Sequence, residues 1–589
     1  MIPVLPTLFS DHAVLQHGQP LPVWGEAPAG STVRVTLAGA SASAQADSTG
    51  RFRVTLPPLP PGGPHELVVA AGAHRLTRSD ILLGDVWVCA GQSNMEWTMT
   101  AASDAKEDLA AATHDAIRLC GVPNVLPAQP TPGWDRCTPA SAASASAVGY
   151  ALGRELHQAT GIPIGIISCA WGGTIIDAWT RAQTLANDQP GRAVLAAYAA
   201  RANSPEARAA TATWQPCLDR PAWEQKNRAV DPGDTGSPRG WATLDFDDSA
   251  WPTMPIPSMW QEHGLQFSAV IWFRRIVEIP PAWQGRDLIL HLGACDKHDT
   301  TFVNGENVGA MGFENPDAWS TPRVYRIPGR LVRSGRLVIA ARVFSFLYNG
   351  GMTGPAKLMR IELATGADNP IPLAGKWHYQ IEHNFGFIEG PPPAPPGPLD
   401  PNRPSSLWEG KIAPLIPFAI AGFAWYQGES DASEAKLYRY KFRRLIRDWR
   451  QAWGWTVPFA FVQLASFDSK LDGPTGSPWA ELREAQAQAL AEPDTVMATA
   501  LDLGEPNNIH PAGKMELGRR LAAGILHQSG RLATDPRGPR FQQCVPGPGC
   551  LRLSFASGAG LELRGTDSFT IAGEQMDEAR NAHRTGRIR

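Results

Sequence analysis

Over the first eighty residues, apolar and polar positions alternate. Residues 32–37 (TVRVTL) and 51–56 (RFRVTL) each turn every second side chain to an apolar face, and turn-forming runs at 28–30 and 47–50 separate such segments. Period-two runs bounded by turns predict short strands packed as a small β-sandwich. The pattern then changes. Residues 85–90 and 164–169 are unbroken apolar runs, expected of strands covered on both faces. Residues 140–160 carry helical spacing, ended by Gly161 and Pro163. Strand, helix and strand in that order predict a parallel α/β sheet. The pattern lapses near residue 215. Through 240–385 the chain reads as strands again, with a hairpin turn at Asn304-Gly305. A proline-rich run at 390–398 predicts a stiff linker. Beyond it the α/β alternation resumes, with strands at 418–426, 458–464 and 495–501 and helices at 434–453, 480–490 and 512–528.

The chain is therefore read as one α/β domain split by an inserted β domain. The expected segments are 1–80, an N-terminal β-sandwich; 81–215, the first part of the α/β domain; and 216–388, the insert. They continue with 389–404, the linker; 405–535, the second part; and 536–589, a short β segment with a polar, Arg-rich tail. Composition narrows the partners. Net charge is −3 over 589 residues, so no global basic field draws nucleic acid or anionic lipid. No apolar run reaches the roughly 18 residues of a membrane-spanning helix. The 21 Trp supply aromatic surface of the kind that stacks on sugars. The opening residues lack a basic, then apolar, leader pattern, so no signal peptide is read: the expectation is a cytoplasmic protein, or a periplasmic or secreted one whose leader has been removed. Cys89 and Cys169 sit in apolar runs and read as buried thiols, while Cys544 and Cys550 flank a turn short enough for a disulfide. No Cys/His spacing suggests zinc, and no metal or organic cofactor is expected.

Four short blocks follow predicted strands. Gly91-Gln92-Ser93-Asn94 places a serine on a tight turn at a strand end, where a nucleophilic Oγ is exposed near free backbone N–H groups. Trp171-Gly172-Gly173-Thr174 has paired glycines that let N–H groups face a cleft. In Gln427-Gly428-Glu429-Ser430-Asp431 the Gln427 amide could serve an oxyanion. In Asn508-Ile509-His510-Pro511, the proline suits a first helical turn and leaves His510 at a strand-to-helix junction, where an imidazole acts as a base. Each block alone reads as ordinary turn chemistry. Together, at the carboxyl ends of strands of one interrupted sheet, they supply what acyl transfer needs: nucleophile, base and oxyanion donors. The basic helix with Lys441, Arg443, Arg444, Arg447 and Arg450 reads as a solvated face.

These blocks, with Met95-Glu96-Trp97, Trp425-Tyr426 and the opening Leu8-Phe9-Ser10-Asp11-His12, resemble the sialate O-acetylesterase-like carbohydrate esterases of the SGNH hydrolase superfamily. The resemblance covers about residues 5–210 and 405–570. It implies a flavodoxin-like hydrolase domain with Ser93 as nucleophile and His510 as base. It also implies an oxyanion hole from the Ser93 N–H, a Gly172 or Gly173 N–H and Gln427. The insert resembles the galactose-binding-like jelly roll of glycoside hydrolases, carried by 247–251 (DDSAW), Trp272-Phe273-Arg274-Arg275 and Val303-Asn304-Gly305. Such an insertion is similar to the family-20 xyloglucan acetylesterases. The implied substrate is an acetylated glycan, with xyloglucan side chains favoured, a sialate 9-O-acetyl ester as the alternative, and a non-catalytic carbohydrate-binding protein as the rival of another class. One departure matters. The superfamily places Asp three residues before the histidine, and position 507 is Asn. Glu505, Asp502 or a backbone carbonyl is left to orient His510, with Glu505 favoured.

Overall fold

The computed structural model describes residues 2–556 except 215–219, 316, 334, 367–368, 389–393, 468–476, 505–507 and 549. The chain divides into two compact units, one of residues 1–211 and 395–589, the other of residues 212–394.

The first unit is built on a sheet whose strands are β1 (His74–Gly91), β2 (His114–Gly121), β3 (Asp135–Cys137), β4 (Ile164–Ala170), β5 (Gly422–Tyr426), β6 (Phe459–Gln463) and β7 (Thr495–Thr499). Their spatial order is β7-β6-β5-β1-β4-β2-β3. All neighbours are parallel except the edge pair β2/β3. On one side of β1 the chain order runs outward through β5, β6 and β7, while β2, β3 and β4 lie on the other side, so the crevice at the carboxyl end of β1 is a topological switch point. In the register, Gly91 stands level with Ala170 of β4 and Tyr426 of β5. Three chain segments 80 to 330 residues apart thus leave the sheet at one rim. Val86, Val88, Ile164, Ile166, Phe423 and Ala424 are fully buried, as apolar strands under helices on both faces require.

Two expectations need correction here. The break expected at residue 80 falls inside β1, which pairs with strand Gly62–Ala71 over its first half and with β4 and β5 over its second. Apolar residues of the N-terminal strands, such as Val33, Val35 and Val54, belong to the same buried cluster as the α/β strands. The helical spacing at 140–160 is two helices, Pro139–Ala143 and α2 (Ala147–Thr160), because Ser146 caps a fresh start by accepting from the Gly149 N–H.

The second unit has two six-stranded sheets, antiparallel throughout. Alternation on the strand Ala269–Glu278 sends Phe273 to the main core and Trp272 to a separate cluster with Trp241 and Phe302. Arg274, wholly buried, is paired with Asp248 and also donates to the Trp241 carbonyl. Among the described residues, no helix is long and apolar enough to cross a membrane. Cys544 is a free, exposed thiol. It faces Leu553 in the hairpin Arg540–Gly547/Cys550–Ala556, while Cys550 faces Gly547, so the register sets the two cysteines at different levels. The tail expected beyond residue 576 lies outside the described residues.

Candidate active site

Backbone geometry at the end of β1 sets the first block. Gly91 has φ +138°, and a Cβ there would stand 2.1 Å from the Tyr426 carbonyl oxygen, so only glycine fits. Gln92 then donates its N–H to Tyr426 O, and its side-chain oxygen accepts from the Gly428 and Ser430 N–H groups. This ties the first block to the third. Ser93 opens the single-turn helix α1 (Ser93–Glu96). Its Oγ lies 2.8 Å from His510 Nε2 across 417 residues of chain.

His510 is held from three sides. Its ring stacks on Trp97 at 4.9 Å between centroids, its backbone N–H donates to Asn508 Oδ1, and the preceding Ile509 carbonyl accepts from Asn94 Nδ2 at 2.9 Å. Burial, and secondarily the Lys514 ammonium, lowers its pKa to about 4. The imidazole is therefore neutral at pH 7 and free to accept a proton. The residues favoured for orienting it do not supply a visible acid. Glu505 lies outside the described residues. Asp502 makes a two-pronged ion pair with Arg520 at 2.6 and 2.7 Å, which holds its carboxyl low and away from the histidine. Among the described residues, no carboxylate reaches the His510 ring.

The oxyanion donors also sort themselves. The Gly172 N–H donates to Glu96 Oε2 at 2.6 Å, and a Cβ on Gly172 would stand 3.3 Å from that of Ser93. Gly173, with φ +71°, turns the loop. Among the described residues, the N–H groups of Ser93 and Gly173 meet no protein acceptor. Gln427 corrects the sequence reading. It is fully buried. Its amide nitrogen donates to Thr174 O at 3.0 Å and Asp431 Oδ2 at 2.6 Å, and its oxygen accepts from Tyr438 at 2.8 Å. With both amide hydrogens engaged, it braces the second block from behind and offers nothing to an oxyanion.

The sequence reading missed a second layer of polar residues. Asn94 donates to Glu429 and accepts from Lys514, whose ammonium also donates to Pro511 O at 2.6 Å and lies over the Trp97 and Tyr426 rings. Burial raises the Glu429 carboxyl, and Glu429 Oε2 has no hydrogen-bond partner. Glu96, raised by burial, accepts from Asn124 at 2.7 Å as well as from Gly172. Asn94, Glu96 and Glu429 stood inside quoted blocks, so their positions were visible and only their contacts were not. Lys514 carried no signal. Asp177, Asp431 and Glu434 form an acidic cluster, but Lys441 and Arg444 take up its charge.

Residues 83–206 and 410–527 match the family model "carbohydrate esterase, sialic acid-specific acetylesterase". Mouse sialate O-acetylesterase is 22% identical over 595 aligned residues, covering 93% of this chain and 78% of that protein. The human enzyme is 31% identical over 189 residues, covering 28% of this chain and 36% of its own length. The crystal structure of a carbohydrate acetylesterase from Xanthomonas citri superposes with a TM-score of 0.57 at 25% identity, covering 98% of this chain and 87% of the other. The protein is a carboxylic-ester hydrolase, an acetylesterase. Within that class it is similar to the sialate O-acetylesterase-like carbohydrate esterases.

Proposed function

We propose that the chain removes O-acetyl groups from a plant glycan by serine catalysis, with acetylated xyloglucan side chains as the favoured substrate. The observation that carries this is the 2.8 Å contact between Ser93 Oγ and a neutral His510 Nε2 at the switch point of the sheet. Ser93 Oγ attacks the acetyl carbonyl carbon while Nε2 takes its proton. The oxyanion forms against the Ser93 and Gly173 N–H groups. Collapse expels the sugar oxygen, which receives the proton from Nε2 and leaves acetyl-Ser93. Water, deprotonated by the same nitrogen, then releases acetate. Glu505 remains the proposed orienting acid. Ser93→Ala should lower kcat for p-nitrophenyl acetate by about 10⁴-fold or more while leaving the fold intact. Unchanged turnover would dismiss the assignment.

In this reading the first unit has the flavodoxin-like SGNH arrangement with an N-terminal β-sandwich, and residues 212–394 form the inserted jelly roll that helps admit a branched glycan. The sialate alternative is supported by the names of the mouse and human relatives. Acetate release from acetylated xyloglucan oligosaccharides, set against 9-O-acetylated sialosides, separates the two. Turnover of the sialosides alone would replace the plant-glycan reading.

A further inference from the structure

A second concave surface lies on the first unit, away from Ser93 and His510 in its lining. It is a hollow of about 560 Å³ against the outer side of helix α3 (Ala435–Trp453), walled by Arg439, Arg443, Arg444, Arg447, Tyr440 and Asp448 among others. Arg439, Arg443 and Arg447 fall at successive i, i+4 positions, so they line up along one helix face. Like charges at that spacing destabilise a helix. A chain whose net charge is −3 nevertheless gathers them here.

The ion pairs do not balance this charge. Arg444 is engaged at the floor, by Asp177 at 2.6 Å and Asp188 at 3.1 Å. Arg443 and Arg447 share one carboxylate, that of Glu492, at 2.7 and 2.8 Å. Asp448, the one acid in the wall, is fully buried and is taken by Arg181 at 2.7 Å and by the Thr184 hydroxyl. Among the described residues, Arg439 has no partner at all, and Arg447 keeps 62% of its side chain in solvent. The hollow thus holds about two uncompensated guanidinium charges. Tyr440, 43% exposed with its hydroxyl pinned to Asp188 at 2.7 Å, stands beside them as a fixed ring.

Guanidinium groups match a planar carboxylate with paired hydrogen bonds, and a neighbouring aromatic face suits a sugar ring. We propose that this hollow is a secondary binding site for the carboxylate of an acidic sugar unit on the glycan whose acetyl groups the enzyme removes. The proposal rests on the acetylated-glycan reading above but not on its xyloglucan preference, since xyloglucan is neutral: here the acetylated chain carries uronic or other carboxylated sugars, a property the sialate alternative shares. The floor residue Arg444 joins the hollow to the catalytic rim through Asp177, four residues beyond Gly173, so a chain held here remains on the part of the unit that carries the site.

The test is affinity electrophoresis of the full chain in gels containing polygalacturonate, with hydroxyethylcellulose as the neutral polymer. Wild type should be retarded by polygalacturonate only. The Arg439→Gln/Arg447→Gln double variant should lose about tenfold in affinity, the effect of one or two charge-assisted hydrogen bonds. Arg439→Gln alone disturbs no protein contact and should show part of the loss even if the double variant folds poorly. Arg34→Gln/Arg53→Gln, the same charge change on exposed N-terminal strands, should behave as wild type. The proposal is overturned by no retardation, by equal retardation in the neutral gel, or by equal losses in the hollow and control variants, which would mean bulk charge only. Retardation needs no ester cleavage. Failure of Ser93-dependent hydrolysis with retention intact would therefore count against the esterase mechanism and not against this site.

Discussion

His510 shows how far one side chain's surroundings set its chemistry. Free imidazole is half protonated near pH 6.5, whereas here burial against Trp97 lowers that point to about 4. The acidic limb of kcat/KM for p-nitrophenyl acetate should therefore lie well below pH 6.5, toward 4. A limb at or above 6.5 would show that the ring is not desolvated as described. The same shift bears on stability. The unfolded chain takes up a proton at His510 near pH 6.5 and the folded chain does not until about 4, so this contribution is whole above 6.5 and is lost as pH falls toward 4. Asn94 is the second residue of consequence. It bridges the Glu429 carboxyl, the Lys514 ammonium and the Ile509 carbonyl. Asn94→Ala leaves the buried Lys514 and Glu429 without their shared partner, and should cost about 2–4 kcal/mol of stability together with a fall in kcat larger than any change in KM. Thermal unfolding and steady-state kinetics on one preparation would show both.

At the scale of elements, the strand end and the loops it meets are the machine. Gly91→Ala places a methyl group 2.1 Å from Tyr426 O at a φ of +138°, so β1 and β5 cannot keep their register. Loss of several kcal/mol, seen as insoluble or early-melting protein, is expected. The Glu96–Gly172 hydrogen bond is a subtler link between the turn of α1 and the loop after β4. Glu96→Gln retains an acceptor oxygen and should keep most activity. Glu96→Ala releases the loop and should lower kcat about 10- to 100-fold, as expected when an oxyanion donor drifts. Equal kinetics for the two variants would show that the loop holds itself. Gln427 belongs at this scale too. Its residue type and strand-end position suggested an oxyanion donor, but only the packed partners Thr174, Asp431 and Tyr438 reveal that its amide is already engaged.

Across the whole molecule, the insert and the catalytic unit are separable in principle, because residues 212–394 have their own buried core around Trp260, Phe273 and Trp377. Replacing that segment with a short Gly/Ser linker should leave p-nitrophenyl acetate hydrolysis within a few-fold of wild type and reduce acetate release from the polymer much more. Parallel losses on both substrates would refute a division of labour. Much of the arrangement was legible in the chain. Apolar runs at 85–90 and 164–169 are strands because both faces of a parallel sheet are covered, and the four blocks carry their residue types openly. The break at residue 80 was not legible, since one strand can serve two sheets in turn without any change in its own composition.

Local chemistry thus singled out Ser93 and His510 as candidate nucleophile and base, and the glycine turn between strand and helix, because those depend on residue type and on what a strand end permits. Long-range packing alone decided that Ser93 and His510 touch, that Glu96 holds Gly172, and that Gln427 and Asp502 are engaged elsewhere. Hydrogen-bond partners hundreds of residues apart are chosen by the order and register of strands, which no local pattern encodes.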